Sequence, residues 1–571
     1  MTQKEYRKHS NVARLFQAYP DKPLDGYYPL YVEGAGTPCE PIGEEEPAWN
    51  GMGFGGGGDG RINYGLLHVL NSIHRSIARN FPTFKAEVVT ALCRNGLRGT
   101  DRDTQRPARY SKPVDEIALG AVGMEDIGGL LCNEIGQRNH ASRFYQEQVK
   151  RLARLVDATQ RPKLVEIMID VFGYSRGASQ ARVFCQWLSE LMPDGRLCGV
   201  PTRIRFLGIF DTVASVGLPN RVIPFDMSNG HGGWAQPQWL QIALCVQQCV
   251  HYLAMHENRA SFPLESVRLS NGVMPPNCKQ YGLPGMHSDV GGGYEPKAQG
   301  RSPHDDDSDK LSQMPLELMY QAARSALVPL NKRLARDDDY DPFAVHPKLR
   351  EAYNAFIAAI PSHGTSAQWL LPYLAWRYQV RDVYTTQLSW IERAHPEDVV
   401  DLAGANGTLL ADIDALDNHR EHWLADTQLA LSHVPQIGRI MGPTANRVRN
   451  LAPGARDLLA HLRAHPTLAT PENPEHYSPQ AYLFANYVHD SFAGFKPFDT
   501  KFALAGCWDF IPGTWESEGY LRYRRLYMGN DTPQTAALPA IKPYEALPLT
   551  DEQNAQIQMI QHNMGTGNLR F

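Results

Sequence analysis

Residues 164–177 read Leu-Val-Glu-Ile-Met-Ile-Asp-Val-Phe-Gly-Tyr-Ser-Arg-Gly. The first nine are a β-branched, apolar run of strand length. They pass without a break into a G-x-S-x-G pentapeptide at Gly173–Gly177, and Ala178 to Leu191 then shows helical apolar spacing at Ala181, Phe184, Cys185 and Leu188. A serine on a tight strand-to-helix turn is lifted clear of the sheet edge, and flanking glycines remove side chains that would clash there. The turn also places Ser175 at a helix N-terminus, where backbone N–H groups and the helix dipole stabilise a developing oxyanion. Ser175 is therefore the candidate nucleophile, and the N–H of Arg176 the first candidate oxyanion donor.

A serine nucleophile needs a base, and the base needs an orienting carboxylate. In α/β-hydrolases both follow later strands, in the order Ser, acid, His. Asp211 directly follows the strand-like Arg203–Phe210 and is the candidate acid. His287 follows a strand-like run near Lys279–Leu283, precedes the glycines at 291–293, and is the candidate base. Each role has rivals. Asp289 is either an alternative acid or a buttress of the His287 loop, Asp226 is a weaker acid, and His489 is a second candidate base.

Around these motifs the chain alternates strand-like and helical stretches, which implies a parallel sheet and an α/β class. Upstream, residues 27–37 read as a strand ending at glycines, 62–80 and 141–158 as helices, and 86–92 as a strand. Downstream of Asp211, a helix is expected over about 237–260. The block 311–470 reads as mostly helical, and the last hundred residues as rich in strands and loops. The expected division is a catalytic core at 1–300, a helical insertion or cap at 301–480, and a C-terminal return to the core at 481–571.

Composition narrows the class. The chain has 571 residues, 43% hydrophobic and 20% charged, with net charge −5. It can bury a real core and lacks the basic footprint of a general nucleic-acid binder. The uncharged stretch Trp239–Met255 is too short and polar for a membrane span and reads as a buried or amphipathic helix. Met1–Ser10 has no apolar signal region, so the protein is expected to start in the cytoplasm. Nine cysteines without a CxxC pair suggest neither a disulfide framework nor a zinc ribbon, and read as small buried side chains. Cys245 and Cys249 would share a helix face. The glycine-rich loop 51–60 lacks a Walker ending and reads as a turn before a helix. The acidic stretch 302–310 could hold calcium, but lacks the glycine and terminal glutamate of an EF-hand, so a solvated loop is expected.

Together, VFGYSRGASQARVF, FLGIFDTVASVGLP, HYLAMHENRASFP and LPGMHSDVGGGY resemble the catalytic region of type VI secretion phospholipase effectors. HSNVARLFQAYP and YYPLYVEGAGT resemble the stretch upstream of it, and YVHDSFAGF a C-terminal segment. The resemblance implies an α/β-hydrolase that cleaves acyl esters of glycerophospholipids and needs no cofactor or metal. It implies delivery by the type VI apparatus, with the target-cell periplasm as destination. The implied partners are a phospholipid membrane, a cognate immunity protein and a spike component, but no nucleic acid. Carried over, Ser175 is the nucleophile, Asp211 the acid and His287 the base. One departure stands out. The family opens with a strand ending in Asp-Gly-Thr ahead of the segment matched by His9–Leu15, and no such motif is present here. Either the start is truncated or misassigned, or this member lacks that strand, and the second oxyanion donor is not placed. Alternative readings are an esterase on a non-lipid substrate and an inactive hydrolase-fold adaptor, with a nucleotide-binding reading of loop 51–60 third.

Overall fold

The computed structural model describes residues 7–45, 57–96, 134–159, 164–214, 231, 233–259, 262–304, 306–361, 364–417, 452–495, 520–521, 524–532, 542–543, 555 and 559. Its centre is a sheet of strands β1 (Ile167–Tyr174), β3 (Val200–Phe210), β4 (Val246–Ala254), β6 (Cys278–Leu283) and β8 (Lys542–Pro543), in that spatial order. Every neighbouring pair in this row is parallel. A short β2 (Arg196–Leu197) adds antiparallel to β3. The two-residue strands β5 (Leu264–Glu265) and β7 (Leu526–Tyr527) pair separately.

Helices cover both faces, as a parallel sheet requires. On one face, Gly58–Ile77 and Arg176–Ser189 bury Leu66, Leu70, Val183 and Leu188 against Ile204, Leu207 and Ile209 of β3. On the other, Phe206, Phe210 and Tyr252 meet helices from the later half of the chain, including Gln313–Ser325, Pro347–Ala359, Ser366–Val380 and Pro479–Asn486. The first of these lies directly on the sheet. A Cβ at Gly208 of β3 would meet Met319 Sδ at 2.7 Å, so the glycine permits the close approach.

Several expectations are corrected. Residues 27–37 are not a strand: the stretch runs without a ladder, and Tyr27 bridges only Lys22. Residues 28–32 and Gly34 instead line a cavity beside β1. Residues 86–92 are not a strand either. The helix Ala86–Ala91 buries Val89 and Ala91 in the cluster formed by Gly58–Ile77, so packing overrides the β-branched composition. The helix at 237–260 shrinks to Pro237–Leu240, and β4 takes Val246–Ala254. A central parallel strand is buried on both faces and reads as a continuous apolar run, which periodicity cannot separate from a buried helix. Cys249 thus lies on a strand, opposite Cys278 of β6. Within the stretch 302–310, Asp307, Asp309 and Lys310 are buried rather than solvated, and Asp307 pairs with both Arg14 and Lys310, while Asp306 is exposed and residue 305 lies outside the described residues.

Six of the seven described cysteines are buried and none is in a disulfide, while Cys132 and Cys507 lie outside the described residues. Of the glycine-rich loop, residues 51–56 lie outside as well. Gly57, at φ +75°, starts the helix Gly58–Ile77. Among the described residues, no helix is long and apolar enough to cross a membrane.

Candidate active site

Parallel strands bring their C-terminal ends to one edge, where α/β sheets place their ligand sites. Tyr174 of β1 pairs with Phe210 of β3, and Phe210 with Tyr252 of β4. The residues that follow the first two are Ser175 and Asp211, so register alone sets them side by side. Ser175 N–H donates to Phe210 O (3.0 Å), and Val213 N–H donates back to Ser175 O (3.3 Å), tying the two turns together.

Ser175 is the N-cap of the helix Arg176–Ser189, with φ 59° and ψ −129°. A non-glycine residue held there is strained by about 1–3 kcal/mol, which surrounding structure must offset. The two motif glycines do different things. A Cβ at Gly173 would lie 2.6 Å from the backbone of Gly177 and Ala178, so this glycine lets strand and helix touch. A Cβ at Gly177 would meet nothing within 4 Å, so no clash explains the second glycine.

Asp211 and His287 meet. His287 Nδ1 lies 2.6 Å from Asp211 Oδ2, and both residues are buried. Asp211 also accepts the backbone N–H of Ala254 (2.9 Å) and two hydrogen bonds from Arg524, at 2.8 and 2.7 Å. Burial alone would raise the Asp211 carboxyl. The Arg524 guanidinium and the His287 hydrogen bond outweigh it and hold the group well below the usual carboxylate range. Asp211 is therefore ionised throughout the neutral range.

His287 begins the short helix His287–Gly291. Its ring packs between Tyr174 (centroids 4.7 Å) and Phe262 (4.8 Å). Arg259 lies over the Phe262 ring at 3.8 Å and pairs with the buried Glu257, which accepts the His287 N–H at 3.3 Å. Four contacts fix the residue: its Nδ1 bond, its two aromatic neighbours and its anchored backbone. His287 Nε2 is buried with no hydrogen-bond partner among the described residues. It is the nitrogen left to take a proton. No hydrogen bond joins it to Ser175 in this structure.

The rivals separate cleanly. Asp289 does not reach His287. It accepts from Met286 N (3.0 Å) and His489 N (3.1 Å) and pairs with His489 Nδ1 at 2.6 Å. His489 is stacked on Tyr294 at 3.7 Å and is not bonded to Asp211. This second Asp–His pair clamps the His287 loop to the C-terminal segment. Asp226 lies outside the described residues. The N-terminal helix Asn11–Gln17 braces the same loop, since Asn11 Nδ2 donates to Val290 O (2.9 Å) and Ser312 O (3.0 Å).

A cavity of about 670 Å³ runs along β1, the edge strand. Phe16, Val32, Val69, Ile73 and Phe184 line it, and its near end reaches Tyr174, Gly177 and Ser288, the neighbours of Ser175 and His287.

Sequence reasoning missed Arg524, Phe262 and Glu257. The last two fall in the HYLAMHENRASFP segment, so the resemblance marked the stretch without giving them a role. Arg524 stands among other arginines in Leu-Arg-Tyr-Arg-Arg and carries no signal of its own.

Comparison with known proteins follows the same lines. Residues 193–322 match the family described as "T6SS, Phospholipase effector Tle1-like, catalytic domain". That segment contains Asp211 and His287 and begins after Ser175. None of the curated proteins matches. A crystal structure of an uncharacterised protein from Pseudomonas aeruginosa is 21% identical, covers 98% of this chain and 87% of its own, and superposes with a TM-score of 0.60, so the fold is shared. The Tle1 effector bound to the VgrG spike of the type VI secretion system is 19% identical over 42% of this chain and 61% of its own, with a TM-score of 0.26. The chain is thus an α/β protein that, over residues 193–322, is similar to the catalytic domain of Tle1-like type VI secretion phospholipase effectors, the family its motifs resemble.

Proposed function

We propose that the protein is a serine phospholipase of the A type, hydrolysing acyl esters of glycerophospholipids. The observation that carries this reading is the Asp211–His287 pair at 2.6 Å, set beside a strained Ser175 at a helix N-terminus. Ser175 Oγ attacks the ester carbonyl while His287 Nε2 takes its proton. Asp211 holds the imidazole tautomer and stabilises the imidazolium. The Arg176 N–H, first in its helix, donates to the oxyanion. His287 then returns the proton to the leaving alcohol, and water, activated by the same imidazole, releases the fatty acid.

The apolar cavity supports an acyl substrate, because its volume lies within the range of small-molecule sites and its lining includes Tyr174, Gly177 and Ser288, close in the chain to Ser175 and His287. The division into a core at 1–300, a helical block at 301–480 and a C-terminal return belongs to this proposal, with the block serving as a cap or membrane-docking face. So do delivery through a type VI spike, action in the target-cell periplasm, and a cognate immunity protein. The motifs and the family match over 193–322 support these.

The test is fatty-acid release from phospholipid vesicles, comparing the chain with Ser175→Ala. Release lost in the folded variant supports the reading. Equal release from both refutes Ser175 as nucleophile, and no release from either folded protein favours the inactive adaptor. A preference for soluble esters over vesicles favours the non-lipid esterase.

A further inference from the structure

The partly buried acidic segment at 306–310, with His304 before it, holds a side-chain cluster that the proposed hydrolase chemistry does not use. His304 Nδ1 lies 2.9 Å from Asp309 Oδ2, and His346 Nδ1 lies 3.9 Å from Asp309 Oδ1. One donor atom from each residue falls within 4.8 Å of the others. The two imidazoles are stacked, with centroids 3.9 Å apart. We propose that His304, Asp309 and His346 bind a divalent transition-metal ion of the zinc class.

Four features carry the assignment. The first is the donor set: two imidazoles and one carboxylate suit zinc and its first-row neighbours, whereas calcium prefers an all-oxygen shell. The calcium reading of this stretch therefore fails on ligand chemistry. The second is a buried carboxylate facing the two rings. Asp309 is fully buried; both His304 bonds fall on its Oδ2, and the Tyr487 hydroxyl also pairs with it. A buried carboxylate is costly without a compensating cation, and an ion between it and the two rings supplies one.

The third feature is pre-organisation. The His304 backbone N–H donates to Asp309 Oδ2 (2.8 Å), and the His346 N–H donates to Ser308 O (2.8 Å). The two segments are thus already stitched together. The fourth is access. The His304 and His346 side chains are 36% and 25% exposed while Asp309 is enclosed, so an ion can enter from solvent. His346 is also the N-cap of the helix Pro347–Ala359, its Nδ1 accepting the Lys348 N–H at 3.3 Å. That bond engages the Nδ1 lone pair, so ligation through this nitrogen would compete with the helix cap, and the ring's Nε2 is the nitrogen that can bind without breaking it. Three protein ligands leave a fourth position for water in a tetrahedral shell. The bound ion would pin the 302–310 loop, which Asp307 ties to Arg14, onto the start of the helix Pro347–Ala359.

The experiment uses the metal-stripped full chain, titrated with Zn²⁺ and separately with Co²⁺. One equivalent is expected to bind, with the visible absorption of four-coordinate cobalt and a rise in melting temperature. His304→Ala removes a part-exposed ligand. His346→Asn removes another while keeping a side-chain oxygen able to cap the helix. Losing even an outer-shell partner costs about 10–100-fold in metal affinity, so each variant should lose at least that. Circular dichroism of both variants establishes that they are folded. Equal affinity in wild type and both folded variants would place the metal on other histidines or cysteines and overturn the proposal. Absence of a bound equivalent, or displacement of zinc by millimolar calcium, would overturn it too.

Discussion

Arg524 is the feature of the site whose effect can be worked through most fully. Its guanidinium and the His287 imidazole both bond Asp211 Oδ2, at 2.8 and 2.6 Å, so the two groups can be only about 5 Å apart. At that separation and an effective dielectric constant near 20, a unit charge opposes a second by about 3 kcal/mol, equivalent to about two pH units. In the proposed mechanism, Arg524 therefore opposes the His287 imidazolium while keeping Asp211 ionised. Replacing it by methionine should move the acid limb of the kcat/KM profile upward by about 1–2 pH units. The same change leaves Asp211 buried without its cation, and breaking such a pair costs about 3–5 kcal/mol of stability. Arg524→Lys, which keeps the charge, should leave the limb nearly in place. The assay is the pH dependence of hydrolysis of a soluble short-chain ester, with urea unfolding of each variant in parallel. A folded Arg524→Met protein with an unmoved acid limb would refute the electrostatic argument.

Acid should loosen the site loops before it unfolds the rest. The buried His251 accepts the Thr212 N–H (3.1 Å) and His256 the Gly285 N–H (2.9 Å), so each must stay neutral. Burial pushes both down to about 3, with Arg182 adding to the effect at His251. Their stabilisation is therefore complete above the unfolded value near 6.5 and is lost as pH falls toward 3, by about 4 kcal/mol for the two together at pH 5. Urea midpoints at pH 7.5 and 5 measure this, and a flat profile would contradict it. Gly291→Ala places a Cβ 1.9 Å from the Tyr174 ring, which packs on His287. Overpacking of this kind costs about 1–3 kcal/mol, and kcat should drop beyond what the stability loss explains. Val69→Trp, on the cavity wall, should slow long-chain esters more than short ones; equal slowing would remove the cavity from acyl binding.

The sequence alone determined the local elements with strong periodicity or punctuation. The run 164–172 into Gly173–Gly177 gives strand, turn and helix because every residue of it is chosen by local geometry. Arg203–Phe210 into Asp211 and Lys279–Leu283 before His287 were legible for the same reason, and with them the α/β class. Long-range pairing decided the rest. Whether 86–92 and 246–254 became helix or strand depended on which neighbours buried them, since an apolar run fits either state. Asp211 and Asp289 are equally good turn residues; only the sheet register and the position of His489, 200 residues downstream of Asp289, assign each its histidine. Arg524, 313 residues from Asp211, and the approach of His346 to Asp309 leave no local trace either. Their chemistry is created by burial and charge pairing across the fold, which no spacing along the chain encodes.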